Sequence, residues 1–350
     1  VIAEEAEVEI EDDLTDESIE SSALVDNLSS ILLEQISRFS IRDSHVLYRT
    51  IAGVRAFTIN ELHWLNLDDR HRANGTVIVD GLSSNNLKVL LDFQGNEFDK
   101  LTGQAYLEAN EINITPWLGR ALALDDENTH SSINFSTWLN VNAGKPEFIQ
   151  LSLGNNKISW QHDNSEQTFE IDGGDIQIKT IDELVYNVST SPIAIKRNGK
   201  ETNKVSALAN VNAERVNGYI SGIELASFEG VFPLLFDDEA LESLLVNLAP
   251  TGRIDDIHFF GSKSDMAITA SFNDVNSHFS HGIPGIDNVS GELVYQSNKL
   301  HIALNAVDGA LDFDKHFKQP IQYSRLSTDI FAKLSAEENI DAPVTAVTVS

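Results

Sequence analysis

From Phe39 onward, apolar and polar residues alternate along much of the chain. Leu87, Val89, Leu91 and Phe93 alternate with Lys88, Leu90 and Asp92, and Ile133, Phe135, Thr137, Leu139 and Val141 with Asn134, Ser136, Trp138 and Asn140. Val205, Ala207, Ala209, Val211 and Ala213 do the same against Ser206, Leu208, Asn210 and Asn212. Leu300, Ile302 and Leu304 repeat it against His301, Ala303 and Asn305. Successive strand residues point to opposite faces, so a period of two marks strands with one apolar and one polar face, the habit of antiparallel sheets. The breaks are short and rich in Gly, Asn and Asp, such as "DGGD" (172–175), "RNGK" (197–200) and "QSNK" (296–299), and suit hairpins. The pattern predicts a β meander with few helices.

Three stretches depart from that period. Leu24, Leu28, Ile31, Leu32 and Ile36 fall at helical spacing behind a serine cap, which predicts an amphipathic helix over 21–37. "ANEINITPWLGRALAL" (109–124) and "SGIELASFEGVFPLLFDDEALESLLVNLAP" (221–250) each follow an alternating strand and add a proline among bulky apolar residues. Each predicts a helical crossover, and their separation of about 110 residues suggests a weak internal repeat. The division expected from this is an acidic linker at 1–20, the helix at 21–37, and three sheet segments at 38–124, 125–250 (with a crossover at 228–248) and 251–350.

Charge narrows the partners. The net charge is −30, and residues 1–20 carry ten carboxylates and no basic residue, a composition that stays solvated. Such a balance argues against nucleic acid as a partner, since phosphate contacts need clustered Lys and Arg. It equally disfavours electrostatic adhesion to an anionic bilayer. Cysteine is absent, which excludes disulfides, zinc–thiolate sites and cysteine nucleophiles. Hydrophobic residues make up 41%, enough for a core, yet no apolar run is long enough to span a membrane.

The most chemical-looking stretch is "NELHWLNLDDRHRANGTVIV" (60–79). A zinc pair needs spacing i, i+2 on a strand or i, i+4 on a helix, and His63 and His71 match neither. The expectation is a strand–turn–strand corner with solvated charges. "HFSH" (278–281) reads as a loop. Asp255 and Asp256 are strand neighbours that point to opposite faces, so they form no acid–base couple. Motifs for serine hydrolases, nucleotide phosphates, dinucleotides and zinc proteases do not occur. No catalytic residue, metal or cofactor is expected.

An apolar sheet face must be kept from water. Either a second sheet covers it, giving a structural or adhesive β-sandwich array, or a curved sheet offers it to apolar ligands. A third possibility, a carbohydrate-active solenoid prompted by the exposed acids and four Trp, requires a carboxylate pair in a cleft.

Several blocks carry a resemblance. "FSIRDSHVLY" (39–48), "LHWLNLDDRHRANGTV" (62–77), "AYLEANEINITPWLG" (105–119), "LLVNLAPTGRIDDIHF" (244–259) and "ASFNDVNSHFSHGIPGIDNVSGELVYQSNKLHIALNA" (270–306) follow one another in order. Together they resemble the YhdP family of AsmA-like bacterial envelope proteins over roughly residues 25–335. The resemblance implies a mainly β fold: a long, curved, mostly antiparallel sheet forming an open apolar groove, with short helical crossovers. It also implies a periplasmic portion of an inner-membrane-anchored protein, the anchor lying outside this excerpt, that carries phospholipid toward the outer membrane. His63 and His71 become structural, and the expected partners are phospholipid acyl chains and the two membranes. The residues expected to line such a groove are Leu87, Val89, Leu91, Phe93, Ile133, Phe135, Leu139, Val141, Val205, Ala207, Val211, Ile302 and Leu304.

Overall fold

The computed structural model describes residues 2–4, 7–10, 30–50, 53–79, 87–115, 128–162, 165–182, 184–227, 239–262, 265–334 and 344–349. The chain divides into two compact units, Val1–Thr180 and Ile181–Ser350. Both are mainly β, as the alternation predicts.

In the first unit the strands are β1 (Ile2–Glu4), β2 (Glu7–Ile10), β3 (Arg38–Thr50), β4 (Gly53–Leu67), β5 (Arg70–Val79), β6 (Leu87–Gln94), β7 (Thr102–Ile112), β8 (His130–Asn142), β9 (Lys145–His162) and β10 (Ser165–Asp182). From β3 to β10 each strand pairs antiparallel with the next, as a meander should. Of the acidic stretch expected to be a linker, residues 2–4 and 7–10 run as β1 and β2 parallel to β3, and residues 11–20 lie outside the described residues. An edge strand presents a row of unpaired N–H and C=O groups, and these two segments occupy part of that row on β3.

The helix expected over 21–37 falls largely outside the described residues. Its described part, Ser30–Gln35, is a single π-helical stretch whose Leu33 is 1% exposed. The expected crossover after β7 also lies mostly outside them. Of the second crossover, expected over 228–248, residues 228–238 lie outside the described residues, and the described part is α1 (Glu239–Leu248). It stops where Ala249 turns to φ 42° and Pro250 follows, a left-handed exit with a residue that cannot continue the helix.

The second unit contains β11 (Val185–Thr190), the short pair β12 (Ile195–Arg197) and β13 (Lys200–Glu201), then β14 (Ala207–Val211), β15 (Val216–Glu224), β16 (Thr251–Ser262), β17 (Asp265–Ser277), β18 (Gly285–Gln296), β19 (Lys299–Asp312), β20 (Ile321–Leu334) and β21 (Val344–Val349). β11 pairs with β14, and from β14 to β21 each strand again pairs antiparallel with its successor.

Bulges interrupt the strict period of two in both units. The register shifts beside Glu111, Asp256, Asp274, Asn288 and Asp308, all of which have φ between 50° and 56°. Neighbouring side chains supply the hydrogen bonds that the ladder loses there. Glu111 N–H donates to Asn134 Oδ1 (2.8 Å), Asn134 N–H to Asn156 Oδ1 (2.6 Å), and Asn288 N–H to Asn276 Oδ1 (2.9 Å). Each bulge bends its strand and raises the local twist, so these amides hold a built-in curvature.

Candidate functional site

Cross-strand register assembles the apolar positions of the first unit into continuous rows. One row runs Phe39–Trp64–Ala73–Leu91–Ala105–Leu139–Ile149–Ile178, from β3 to β10. The next runs Ile41–Leu62–Gly75–Val89–Leu107–Thr137–Leu151–Ile176. A third joins Ile59, Val77, Leu87, Ala109, Phe135 and Leu153. Phe93 and Val141 both oppose Gly103, one row farther along, and Ile133 packs with Phe135 against the cluster of Leu87, Ala109 and Ile112. All eight expected groove residues of this unit therefore share one face.

Burial along that face is graded. Phe39, Ile59, Ala73, Leu87 and Ala109 are buried, whereas the rows beyond β7 are half-buried throughout. The inner face of a closed sandwich would be sealed in both directions.

The second unit repeats the arrangement of apolar residues in cross-strand rows. Val188, Ala209, Gly218, Phe259, Ile268, Tyr295, Leu300 and Ala332 form one row from β11 to β20. Ala207 pairs with Ile220, Val211 with Val216, Ile302 with Leu293 and Ile330, and Leu304 with Gly291 and Thr328. Val205 lies outside the named strands, bridged singly to Ile193. A Cβ on Gly291 would lie 2.7 Å from Phe272 Cζ, so glycine there lets the ring lie over the neighbouring strand.

The histidine-rich stretch joins β4 to β5 as a strand–turn–strand corner, but its polar side chains are not all solvated. His71 is fully buried; its Nδ1 lies 2.7 Å from Asn66 Oδ1 and its Nε2 2.6 Å from the Gly95 carbonyl. Trp64 Nε1–H donates to the same Asn66 oxygen (2.6 Å), and the Asn66 amide donates to the carbonyls of Leu32 and Ile36 (2.6 Å each). This knot ties the π-helical stretch onto the end of the apolar rows. His63 points to the other face, between Ser40 and Glu61 (2.9 Å each). Elsewhere Asp255 pairs with Arg253 while Asp256 accepts from Tyr219 Oη (3.0 Å), so the adjacent aspartates stay apart. Among the described residues no three potential metal ligands cluster.

The polar face of the first unit is ordered by directly opposed ion pairs: Arg42–Glu61 (3.0 Å), Arg72–Asp92 (3.2 Å) and Lys88–Glu108 (3.6 Å). Arg70 adds a bidentate contact to Asp92 (2.8 and 2.7 Å), and its guanidinium holds that carboxyl below the usual carboxylate range. Between two rows of this face opens a trough of about 830 Å³. Arg38, Leu65, Arg72, Asp92 and Gln104 form one wall, and Ser40, His63, Asn74, Leu90, Tyr106 and Trp138 the other. Sequence reasoning missed it. The available signal was Leu90, Tyr106 and Trp138 standing in the polar phase of their strands, where bulky apolar groups have no core to fill.

The chain matches the family described as YhdP protein over residues 1–342. It is 24% identical over 327 residues to the intermembrane phospholipid transporter YhdP of Escherichia coli (strain K12), an alignment covering 88% of this chain and 25% of that protein. The chain thus spans about a quarter of the length of that relative. No solved structure matches it. Among the described residues no helix is long and apolar enough to cross a membrane. With the family match extending over nearly its whole length, the chain belongs to the YhdP family.

Proposed function

We propose that this chain is a segment of a periplasmic conduit that shields phospholipid acyl chains between the inner and outer membranes. The observation that carries the proposal is the set of apolar rows running across β3 to β10 at right angles to the strands. Seven strand spacings give a path of roughly 34 Å, against about 15 Å for half a bilayer's hydrocarbon core. Each methylene exposed to water costs about 0.8 kcal/mol, so a two-chain lipid needs continuous apolar cover in transit. Aliphatic rows provide it without a deep well that would trap the cargo.

The relative's role as an intermembrane phospholipid transporter supports this reading. Groove lining by Leu87, Val89, Leu91, Phe93, Ile133, Phe135, Leu139, Val141, Val205, Ala207, Val211, Ile302 and Leu304 belongs to the proposal. So do the repeat boundaries at 124/125 and 250/251 and an inner-membrane anchor outside these residues.

The test is paired. Phospholipid should co-purify with protein prepared without detergent and be detected by mass spectrometry. Changing Leu139 and Val141 to Asp in the full-length protein should abolish lipid passage while expression and circular dichroism persist. A lipid-free protein, or intact transport in the variant, would overturn the reading.

A further inference from the structure

The trough on the polar face of the first unit lies on the opposite side of the strands from the apolar rows, and the conduit leaves it unused. Its charge is unusual for this chain. Arg70 already occupies both oxygens of Asp92, so Arg72 reaches that carboxylate only through Nε (3.2 Å). Arg38, exposed on the same wall, makes no ion pair among the described residues. Two guanidiniums thus line the trough against one carboxylate that Arg70, just outside it, already engages, an excess of positive charge in a protein of net charge −30. That surplus calls for an anion.

The facing wall asks for something more than an anion. Trp138 is 43% exposed, and its ring lies 4.8 Å from that of Tyr106, centroid to centroid, and tilted 54° to it, so the indole presents an aromatic surface to solvent. Asn74 and Gln104 stand beside it with amides able to meet hydroxyl groups. Arg72 on β5 and Tyr106 on β7 are two strand spacings apart and one row out of register, about 12 Å between backbones. This is the reach of a phosphate joined to a sugar ring. Guanidinium binds phosphate with planar, paired hydrogen bonds, and an aromatic face packs against the apolar face of a ring.

We propose that the trough binds a phosphate ester carried on a saccharide, with the phosphate at Arg38 and Arg72 and the sugar on Tyr106 and Trp138. The site is independent of the acyl-chain reading, because its side chains leave the other face of the same strands.

Glucose 1-phosphate, inorganic phosphate and methyl glucoside, titrated calorimetrically into the whole chain, separate the two requirements. Glucose 1-phosphate should bind saturably and lose affinity as salt rises, with inorganic phosphate about tenfold weaker and the glucoside silent. Arg72→Gln and Trp138→Ala should each weaken binding about tenfold. Arg38→Gln, which removes no ion pair, should weaken it about threefold without disturbing the fold. No saturable binding of the sugar phosphate would overturn the proposal. So would inorganic phosphate binding equally well with Trp138→Ala neutral, or phosphatidylglycerol vesicles binding through Arg72 and Trp138 in place of the sugar phosphate. In full-length protein, Arg38→Gln should leave lipid passage intact, so failure here is distinct from failure of the conduit.

Discussion

On β6, Leu87, Val89 and Leu91 point to one side of the sheet, and Lys88, Leu90 and Asp92 to the other. The two faces share one backbone but hold their side chains by different physics. On the apolar side, Leu87 and Ala109 are 7% and 1% exposed and the rows continue as half-buried aliphatics through β10. On the polar side, the paired charges keep 42–55% of most side chains in water, so each pair adds little to stability. The fold therefore rests on the apolar side, which leaves the polar side free to carry recognition. The second unit shows the same alternation, its row mixing Ala209, Gly218 and Ala332 with Phe259, Tyr295 and Leu300.

Perturbations should rank by face and by depth. The largest effect belongs to the polar knot at the end of the apolar rows. Asn66→Ala strands two carbonyls, the Trp64 N–H and His71, and should cost about 3 kcal/mol or more in urea unfolding. Leu87→Ala, in the packed cluster, should cost about 3 kcal/mol. Leu139→Ala, chemically the same change among half-buried neighbours, should cost only about 1 kcal/mol. Equal losses at Leu87 and Leu139 would mean that the far rows are sealed after all.

The smallest effect lies on the polar side. Asp92→Asn should cost well under 1 kcal/mol at neutral pH, since the carboxylate is 42% exposed. Its signature is the pH dependence. Arg70 lowers the folded-state pKa of Asp92, so its stabilising contribution is complete above the ordinary carboxylate range. That contribution is lost as pH falls through the lowered value. Acid unfolding curves of wild type and Asp92→Asn should accordingly converge toward low pH, and curves that stay parallel would remove Arg70 from the account.

Much of this was legible in the alternation. Leu87 to Phe93 and Ile133 to Val141 read correctly as one-sided strands because a period of two needs no tertiary information. His71 did not. A buried histidine held by an asparagine five residues earlier and a carbonyl on the next hairpin looks, in sequence, like any turn residue. Ile254 and Ile257 share a face although their numbers differ in parity, because the left-handed Asp256 inserts one residue between them. The acidic start was read from its charge as solvated, yet β3 had a free edge that backbone pairing could use.

Sequence alone determined the class of fold, the polarity of each strand's faces and the absence of thiol chemistry, because these follow from local period and residue type. Tertiary structure decided which alternating sets join into one row, where bulges shift the phase, and that Arg38 and Arg72 meet two aromatic rings across the polar face. Those outcomes depend on cross-strand register, and register is set between strands tens of residues apart.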